Sequence, residues 1–302
     1  MLDELSLTAP EAYRTIQDVS RGTVNSDAVL WRVERDGTPA SYLLGTIHVT
    51  DERVTALSPR IQSALKSVET LALEVADVSP AATNAALLKA SRLVLFTDGR
   101  RLDGVLTPEE IRKVKTTLSA AGMPSEMATM FKPWVVNMIL SVSACERRNV
   151  KLGRPVLDMK LAAVARRHGK SVVGLETIEG QLGAMADIPD DQQIGMLRAS
   201  LEFAHRADDS METLLQLYLR REMGAAWPFQ IALAEKAGVD RSAFTAFRQR
   251  ILVDRNKRMA EAALPLLAKG NALVAVGALH LVGDDGLVTL LTRAGYALTP
   301  IE

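Results

Sequence analysis

The sequence is poor in cysteine and in aromatic residues. Cys145 is the single cysteine among 302 residues, which excludes an intramolecular disulfide and a metal cluster built on cysteines. The residues around it are typical of a helix, and we interpret Cys145 as a small core residue. Aromatic residues make up 4% of the chain, so we interpret Trp31, Trp134 and Trp227 as packing anchors.

The sequence also lacks an excess charge and a long apolar run. Lys plus Arg and Asp plus Glu both number 36, so nucleic acid is not an expected partner. No apolar run reaches 18 residues, and no transmembrane helix is expected. The N-terminal MLDELSLTAPEAY is acidic and has no apolar h-region, unlike a signal peptide. We expect either a cytoplasmic protein or an exported, periplasmic one whose leader was removed.

What the sequence does contain is apolar runs with strand character near both ends. Two of them, 28–34 and 41–49, flank the turn sequence RDGTPA and predict a hairpin. Further strands are predicted over 70–75, over 171–176, in NALVAVGALHLV and in the terminal YALTPI. We therefore predict an α/β fold, with a mixed β-sheet assembled from the N- and C-terminal parts, flanked by helices and carrying a large helical insertion or cap.

The predicted organisation is a single domain over 28–302 with helical insertions at about 79–165 and 181–270. Helix starts such as Thr107-Pro108-Glu109-Glu110 support the first insertion. No strong strand candidate interrupts the second. Residues 1–27 are polar and irregular, and we expect a mobile or loosely packed arm.

Four apolar runs end in a side chain that can bind a metal or move a proton: His48, Glu74, Glu176 and His280. In open α/β sheets, ligands bind beyond the carboxyl ends of the strands. Two histidines and a glutamate around a metal with an open position form a recurrent hydrolytic arrangement, suited to Zn, Mn, Co or Fe. Such a metal lowers the pKa of bound water and polarises a carbonyl.

Two of these runs share the pattern Gly-x-x-His, in SYLLGTIHV and LVAVGALH. Glycine inside a strand often marks a bend or the close approach of another backbone. Gly45 and Gly277 are thus expected to let a strand or a substrate come near His48 and His280. The alternatives are that both glycines only end their strands and that each histidine is structural. The matched pair favours a functional site.

The two glutamates each have a second interpretation. Glu74 is either part of the site or a strand end that reaches water. Glu176 either lines the site or only supports the helix that Thr177 caps. Asp158 is expected in the first turn of a helix over 157–170, or holding a loop.

Arg255 lies on an apolar stripe at helical spacing that is formed by Phe244, Phe247, Ile251 and Met259. An arginine on a core-facing stripe needs an anionic or carbonyl partner. It is therefore expected to orient Glu74 or Glu176, or to stabilise an oxyanion. The alternative is that its stem packs while its head reaches water. Asn256 is expected beside it.

Several familiar catalytic motifs are absent from the sequence. It has no Gly-x-Ser-x-Gly elbow, no phosphate loop and no His-Glu-x-x-His. A metallohydrolase with this sequence is not built on the helix-borne zinc motif.

Several segments together resemble one known family. They are LLGTIHV, LALEVAD, KPW, the LD of PVLDMKLAAVARRHGK, VVGLET with the following Gln181, DRNKRM and VAVGALHLVGDDGLVTLLTRAGYAL. These resemble the TraB/GumN/PrgY family, which includes the animal TIKI proteins. The resemblance runs from about Leu30 to the C-terminus, and GALHLVGDDGL is its most specific part.

The resemblance implies a metal-dependent, peptidase-like active site, since TIKI members are described as Mn- or Co-dependent proteases. By resemblance, His48 and His280 match the two motif histidines, Glu74 the acidic residue, and Arg255 with Asn256 the late Arg-Asn pair. The family is thought to share an ancestral fold with erythromycin esterases and haem-binding proteins. Some relatives are proposed to sequester peptide pheromones, so membership alone does not establish proteolysis.

The leading hypothesis is a metal-dependent hydrolase, a peptidase, acting on a peptide or protein substrate. His48, Glu74 and His280 would hold Mn, Co or Zn, and Glu74 or Glu176 would be the general base. Arg255, with Asn256 beside it, would stabilise the oxyanion or the substrate. One alternative is a non-catalytic peptide-, metal- or haem-binding protein of the same fold. Others are a metal-free, His-dependent esterase-like hydrolase and a structural module with a blocked pocket.

Overall fold

The structure is a computed structural model that describes residues 1–302, apart from the side chain of Pro80. Its centre is a six-stranded sheet with the order β4-β3-β5-β2-β1-β6. The strands are β1 (Leu30–Arg35), β2 (Thr38–Thr46), β3 (Thr70–Leu73), β4 (Ser171–Gly174), β5 (Ala272–Gly277) and β6 (Ala297–Pro300). Strands β4, β3, β5 and β2 are parallel, whereas β1 is antiparallel to β2 and β6. The predicted mixed α/β sheet, made from both ends of the chain, is confirmed.

The hairpin of β1 and β2 sets which side chains face each side of the sheet. Gly37 in its turn has φ +74°, a conformation that favours glycine. In the register, Leu30 pairs with Leu44 and Trp31 with Leu43. The first pair packs in the core on one face and the second pair in the core on the other. The sheet is therefore covered on both faces.

Strand β5 lies between β3 and β2 and is the most buried part of the sheet. Its residues from Ala272 to Val276 are all buried. A strand with parallel neighbours on both sides and cover on both faces is expected to be a continuous apolar run. The burial of β5 explains why LVAV was recognisable as a strand. The pairing of β5 with β2 places the two Gly-x-x-His patterns on adjacent strands.

The first 27 residues are not the irregular arm that we expected. They contain α1 (Leu2–Thr8) and α2 (Pro10–Gly22), and Leu5 and Ile16 are buried in one of the two sheet cores. The expectation failed because a few apolar side chains in a polar segment are enough to dock two short helices. The division into one domain and a separate arm stays a prediction.

Helices fill the connections from β2 to β3 and from β3 to β4. They are α3 (Glu52–Thr55), α4 (Pro59–Ser67), α5 (Pro80–Lys89), α6 (Ser91–Val94), α7 (Pro108–Ala120), α8 (Pro133–Ser141), α9 (Ala144–Lys151) and α10 (Leu157–Arg167). A capping box between Thr107 and Glu110 starts α7, as the sequence signal predicted. Our interpretation of Cys145 as a core residue is wrong, because α9 turns Glu146 inward and leaves Cys145 exposed.

Helices also fill the connection from β4 to β5, and the predicted absence of strands over 181–270 is confirmed for the described residues. They are α11 (Ile178–Ala186), α12 (Asp190–Phe203), α13 (Ala207–Leu219), α14 (Ala226–Lys236), α15 (Thr245–Phe247) and α16 (Asp254–Lys269), and α17 (Leu287–Arg293) precedes β6. The stripe that contains Arg255 is not one regular helix, since residues Arg241–Phe244 form a 3₁₀ turn and Arg248–Val253 a π-helical turn. Leu118, Trp134 and Leu197 belong to one core shared by both insertions.

In the part of the chain that the structure describes, no helix is both long and apolar enough to cross a membrane. The carboxyl ends of the four parallel strands lie at one edge of the sheet. His48, Glu74, Glu176 and His280 follow these four ends. The first turns of α10 and α16 contact the same edge through Asp158 and Arg255.

Candidate active site at the carboxyl edge of the sheet

The six residues predicted to form the site lie together at this edge. Glu74, Glu176 and His280 surround the guanidinium of Arg255, and Asn256 contacts His280. His48 and Glu74 line the same cavity. His48 and His280 are more than two hundred positions apart in the chain, and the parallel pairing of β2 with β5 brings their strand ends side by side.

Arg255 is the centre of a buried ion-pair network. Its Nη2 donates to Glu74 Oε2 at 2.6 Å and to Glu176 Oε1. Its Nε donates to the Glu176 carboxylate at 3.0 and 3.2 Å. Burial disfavours its charge, but the two carboxylates raise the pKa of Arg255 above its ordinary value. The prediction that this arginine contacts Glu74 or Glu176 is confirmed for both.

All five N–H donors of Arg255 have partners. The remaining two, on Nη1, face the carbonyl oxygen of Ile251 at 3.4 Å and Nε2 of His280 at 3.3 Å. A guanidinium with no free donor orients its neighbours and does not reach out to an oxyanion. Of the two roles expected for Arg255, this arrangement favours the orienting one.

Glu74 is held as an ionised carboxylate. Its Oε1 accepts the backbone N–H of Gly277 at 2.7 Å, and its Oε2 accepts from Gln181 at 3.0 Å as well as from Arg255. Burial works to raise the pKa of Glu74, but Arg255 and the Gly277 N–H hold it well below its ordinary value. Glu74 is thus a fixed, charged acceptor between the two histidines.

His280 is neutral and has a defined tautomer. Asn256 Nδ2 donates to the carbonyl of Asp285 at 2.7 Å, so its Oδ1 faces His280 and accepts from Nδ1 at 2.6 Å. Nε2 is then unprotonated, accepts from Arg255 and lies 3.8 Å from Glu74 Oε1. Burial and the charge of Arg255 lower the pKa of His280 to about 4, against the opposing effect of Glu74.

His48 lies in a different environment. Its Nδ1 contacts Asp158 Oδ2 at 2.7 Å, and 59% of its side chain is exposed. Asp158 is held in turn by Thr46, whose hydroxyl donates to Oδ1 at 2.9 Å. Partial burial of the ring disfavours the charged form, but the carboxylates of Asp158 and Glu74 raise the pKa of His48 to about 9.

The glycines of both Gly-x-x-His patterns allow close approach. A Cβ on Gly45 would lie 3.0 Å from Cα of Ala278, in the turn that leads to His280. A Cβ on Gly277 would lie 3.3 Å from Glu74 Oε1. The two patterns therefore pack against each other and against Glu74, which favours the close-approach interpretation over glycines that only end strands.

The cavity beside the network has a volume of about 430 Å³. His48, Glu74, Asp158 and Gln181 line it, together with apolar residues from β3 and α10. Glu176 is not among the described residues that line it, although its side chain is about as buried as that of Glu74. Of the two candidate bases, Glu74 is the one with access to a ligand.

Two imidazoles and a carboxylate are donor types that suit a divalent cation. Nδ1 of each histidine is bonded to an oxygen, of Asp158 or of Asn256, which leaves Nε2 as the coordinating atom. Such outer contacts are typical of histidines that ligate metals. Within the described residues, however, no three His, Cys, Asp or Glu side chains are grouped closely enough to hold an ion. Arg255 must release Nε2 of His280 before that histidine can ligate one.

Sequence reasoning missed two residues of the site. Asp158 was placed in the first turn of its helix, which is confirmed, but not beside His48. Gln181 bridges Glu74 and Glu176 through Nε2, at 3.0 and 3.1 Å. Asp158 and Gln181 both lie in segments that resemble the family. That resemblance was the one sequence signal that could have assigned them to the site.

Comparisons with known proteins identify relatives over most of the chain. The chain is 28% identical to metalloprotease TIKI1 of Danio rerio, over 89% of this chain and 62% of that protein. It is 24% identical to protein YbaP of Shigella flexneri, over 84% of this chain and 89% of YbaP. The metalloprotease TIKI homolog of Nematostella vectensis is 24% identical over 92% of this chain and 68% of its own length. The chain thus spans less than two thirds of the Danio rerio protein.

A match to a family profile covers nearly the whole chain, from residue 29 to residue 300. The resemblance stated from the sequence motifs is confirmed. This protein belongs to the TraB/PrgY/gumN family.

Proposed function

We propose that this protein is a metalloprotease-like hydrolase that cleaves peptide bonds in a peptide or protein substrate. The observation that carries the proposal is the cavity that His48 and Glu74 both line, with Nε2 of His280 3.8 Å from Glu74 Oε1. The metalloprotease names of the TIKI relatives support it.

The metal or its water would be held by Nε2 of His48, by Glu74 and by Nε2 of His280. We propose Mn, Co or Zn, because a mixed imidazole and carboxylate donor set suits all three. When bound, such an ion lowers the pKa of water and polarises the scissile carbonyl.

The other roles belong to side chains of this chain. Glu74 is ionised and lines the cavity, so it is the base that takes the proton of the attacking water. Asp158 orients His48 through Nδ1, and Asn256 orients His280 in the same way. Arg255 and Gln181 hold Oε2 of Glu74, and Glu176 supplies the second carboxylate that keeps Arg255 in place.

The test begins with the metal content of the purified protein, measured by mass spectrometry. Cleavage of a peptide library is then followed with added Mn, Co or Zn and with a chelator. We expect metal-stimulated cleavage that is lost in His48→Ala and in Glu74→Gln and retained in His168→Ala, which removes an exposed histidine at the end of α10. Each variant is checked for folding by circular dichroism. Bound metal or peptide without cleavage under any supplement would instead support a binding protein.

A second candidate is a metal-free hydrolase with His48 as the general base. The contact of 2.7 Å between His48 Nδ1 and Asp158 Oδ2 favours it, because a carboxylate partner orients and strengthens a catalytic imidazole. In this case cleavage would continue in the presence of a chelator and would disappear in His48→Ala. It would also increase as the pH rises towards the pKa of His48, about 9, because a base must be unprotonated.

A further inference from the structure

The cavity beside His48 and Glu74 extends well beyond the reactive groups. One end is formed by His48, Glu74 and Asp158. The remaining walls are Leu73 at the end of β3, residues 75–79 after it, and α10 as far as Arg166. A peptide whose scissile bond lies at Glu74 would therefore place a neighbouring side chain in this space.

The walls away from the reactive groups are mainly apolar. They include Leu73, Val78, Val156, Met159, Ala162 and Ala163. Val78 and Met159 are large apolar side chains that are exposed to solvent, and such side chains around a concave surface are typical of a binding groove. Ala162 and Ala163 carry only a methyl group, so α10 leaves the space open.

The charged residues at the far rim are already bonded to backbone atoms. Arg166 Nη2 donates to the carbonyl oxygen of Ala76 at 2.8 Å, which ties the loop to α10. Asp77 Oδ1 accepts the N–H of Ser79 at 2.8 Å. The wall is thus preformed. Because the walls between these rim residues and the reactive groups are mainly apolar, a charged side chain that entered the cavity would lose hydration against them, which is unfavourable.

We propose that this cavity binds one large apolar side chain of the substrate, such as leucine, methionine or phenylalanine, next to the cleaved bond. The inference rests on the proposed hydrolase function for its place in the reaction. A volume of about 430 Å³ lies near the lower end of the roughly 300–1,000 Å³ range of ligand sites. It suits a side chain with its adjoining backbone.

The first test is the preference of the wild-type protein in a peptide library, read by mass spectrometry. We expect kcat/KM to be about tenfold or more higher for a large apolar residue at one position beside the cut. Ala163→Phe fills the cavity. It should lower kcat/KM about tenfold or more for peptides with leucine or phenylalanine at this position and leave kcat/KM for alanine peptides unchanged. Ala120→Phe, a matched substitution on the exposed face of α7, should change nothing. Equal losses for all peptides in Ala163→Phe would overturn the proposal.

The second test does not require cleavage. The methyl group of Met159 is followed by NMR, with its signal identified through Met159→Leu, while N-acetyl-leucinamide or N-acetyl-aspartamide is added. We expect a shift with the leucine compound only, and no shift in Ala163→Phe. This result without cleavage of any peptide would leave the apolar site standing and remove the proposed hydrolase. Peptide cleavage with no shift of the Met159 signal and no preference for apolar residues would support the hydrolase and overturn the apolar site.

Discussion

His48 and His280 end the same Gly-x-x-His pattern on neighbouring parallel strands, yet their surroundings are opposite. The side chain of His48 is 59% exposed and pairs with the Asp158 carboxylate, and its pKa is raised to about 9. The side chain of His280 is 6% exposed and lies against Arg255 and an amide oxygen, and its pKa is lowered to about 4. The local pattern brings an imidazole to the sheet edge, and the partners supplied by other segments decide its charge.

The largest loss of stability is expected when Arg255, the positively charged side chain beside His280, is replaced. Arg255→Met leaves Glu74 and Glu176 buried without a counter-charge, which should cost about 3–5 kcal/mol of unfolding free energy. The measurement is denaturant unfolding of the purified variant. Arg250→Met is the control, since its pair with Asp254 is exposed and should contribute no more than about 1 kcal/mol. Equal losses in both variants would contradict the buried network.

The two histidines themselves should differ in their effect on stability. His280→Ala leaves a cavity and an unpaired Asn256 oxygen, which should cost about 2–4 kcal/mol. His48→Ala removes an exposed ring and should cost less than about 1 kcal/mol. Thermal and denaturant unfolding of both variants, compared with wild type, give the two values. A larger loss of stability in His48→Ala than in His280→Ala would contradict the burial of His280 and the exposure of His48.

The two glycines sharpen the same comparison. Gly45→Ala places a methyl group 3.0 Å from the backbone of Ala278, and overpacking of this kind should cost about 1–3 kcal/mol. Gly277→Ala meets the Glu74 carboxylate at 3.3 Å, where a small shift suffices. We expect less than about 1 kcal/mol of lost stability and a displaced Glu74 that lowers hydrolysis. Unfolding and peptide cleavage, measured together, distinguish the two effects.

The smallest change in stability is expected on the exposed side. Asp158→Asn should alter the free energy of unfolding by less than about 1 kcal/mol, because asparagine keeps an oxygen for the hydroxyl of Thr46 and the ring of His48 is largely in water. If the proposed function is right, the loss of an orienting carboxylate should still reduce metal affinity or activity about 10- to 100-fold. Thr46→Val, which removes only the hydroxyl that holds Asp158, should have a milder effect on both. Full activity in Asp158→Asn would rule out its positioning role.

Strands and strand ends were predictable because their signals are local. The apolar run before His280 and the Asp-Gly turn between β1 and β2 each reveal an element within a few residues. Because ligands of open α/β sheets bind beyond the carboxyl ends of the strands, the sequence predicted that His48, Glu74, Glu176 and His280 meet at one edge.

Other features depended on distant residues and were missed or misread. Asp158 meets His48 from 110 positions away, and nothing near either residue indicates the other. The π-helical turn before Arg255 interrupts a stripe that looked regular in the sequence. The docking of α1 and α2 depends on a few apolar side chains, such as Leu5 and Ile16, that composition hides among polar residues.

By itself, the sequence determined the α/β sheet, the histidines and glutamates at its strand ends and the family to which the chain belongs. These follow from hydrophobic patterning and local motifs, which act over a few residues. Only the tertiary structure decided which carboxylate or amide each histidine contacts and which walls of the cavity are apolar. It also decided that every N–H donor of Arg255 is bonded within the network. Charge states and cavities arise from burial and from partners far apart in the chain, and packing alone brings those together.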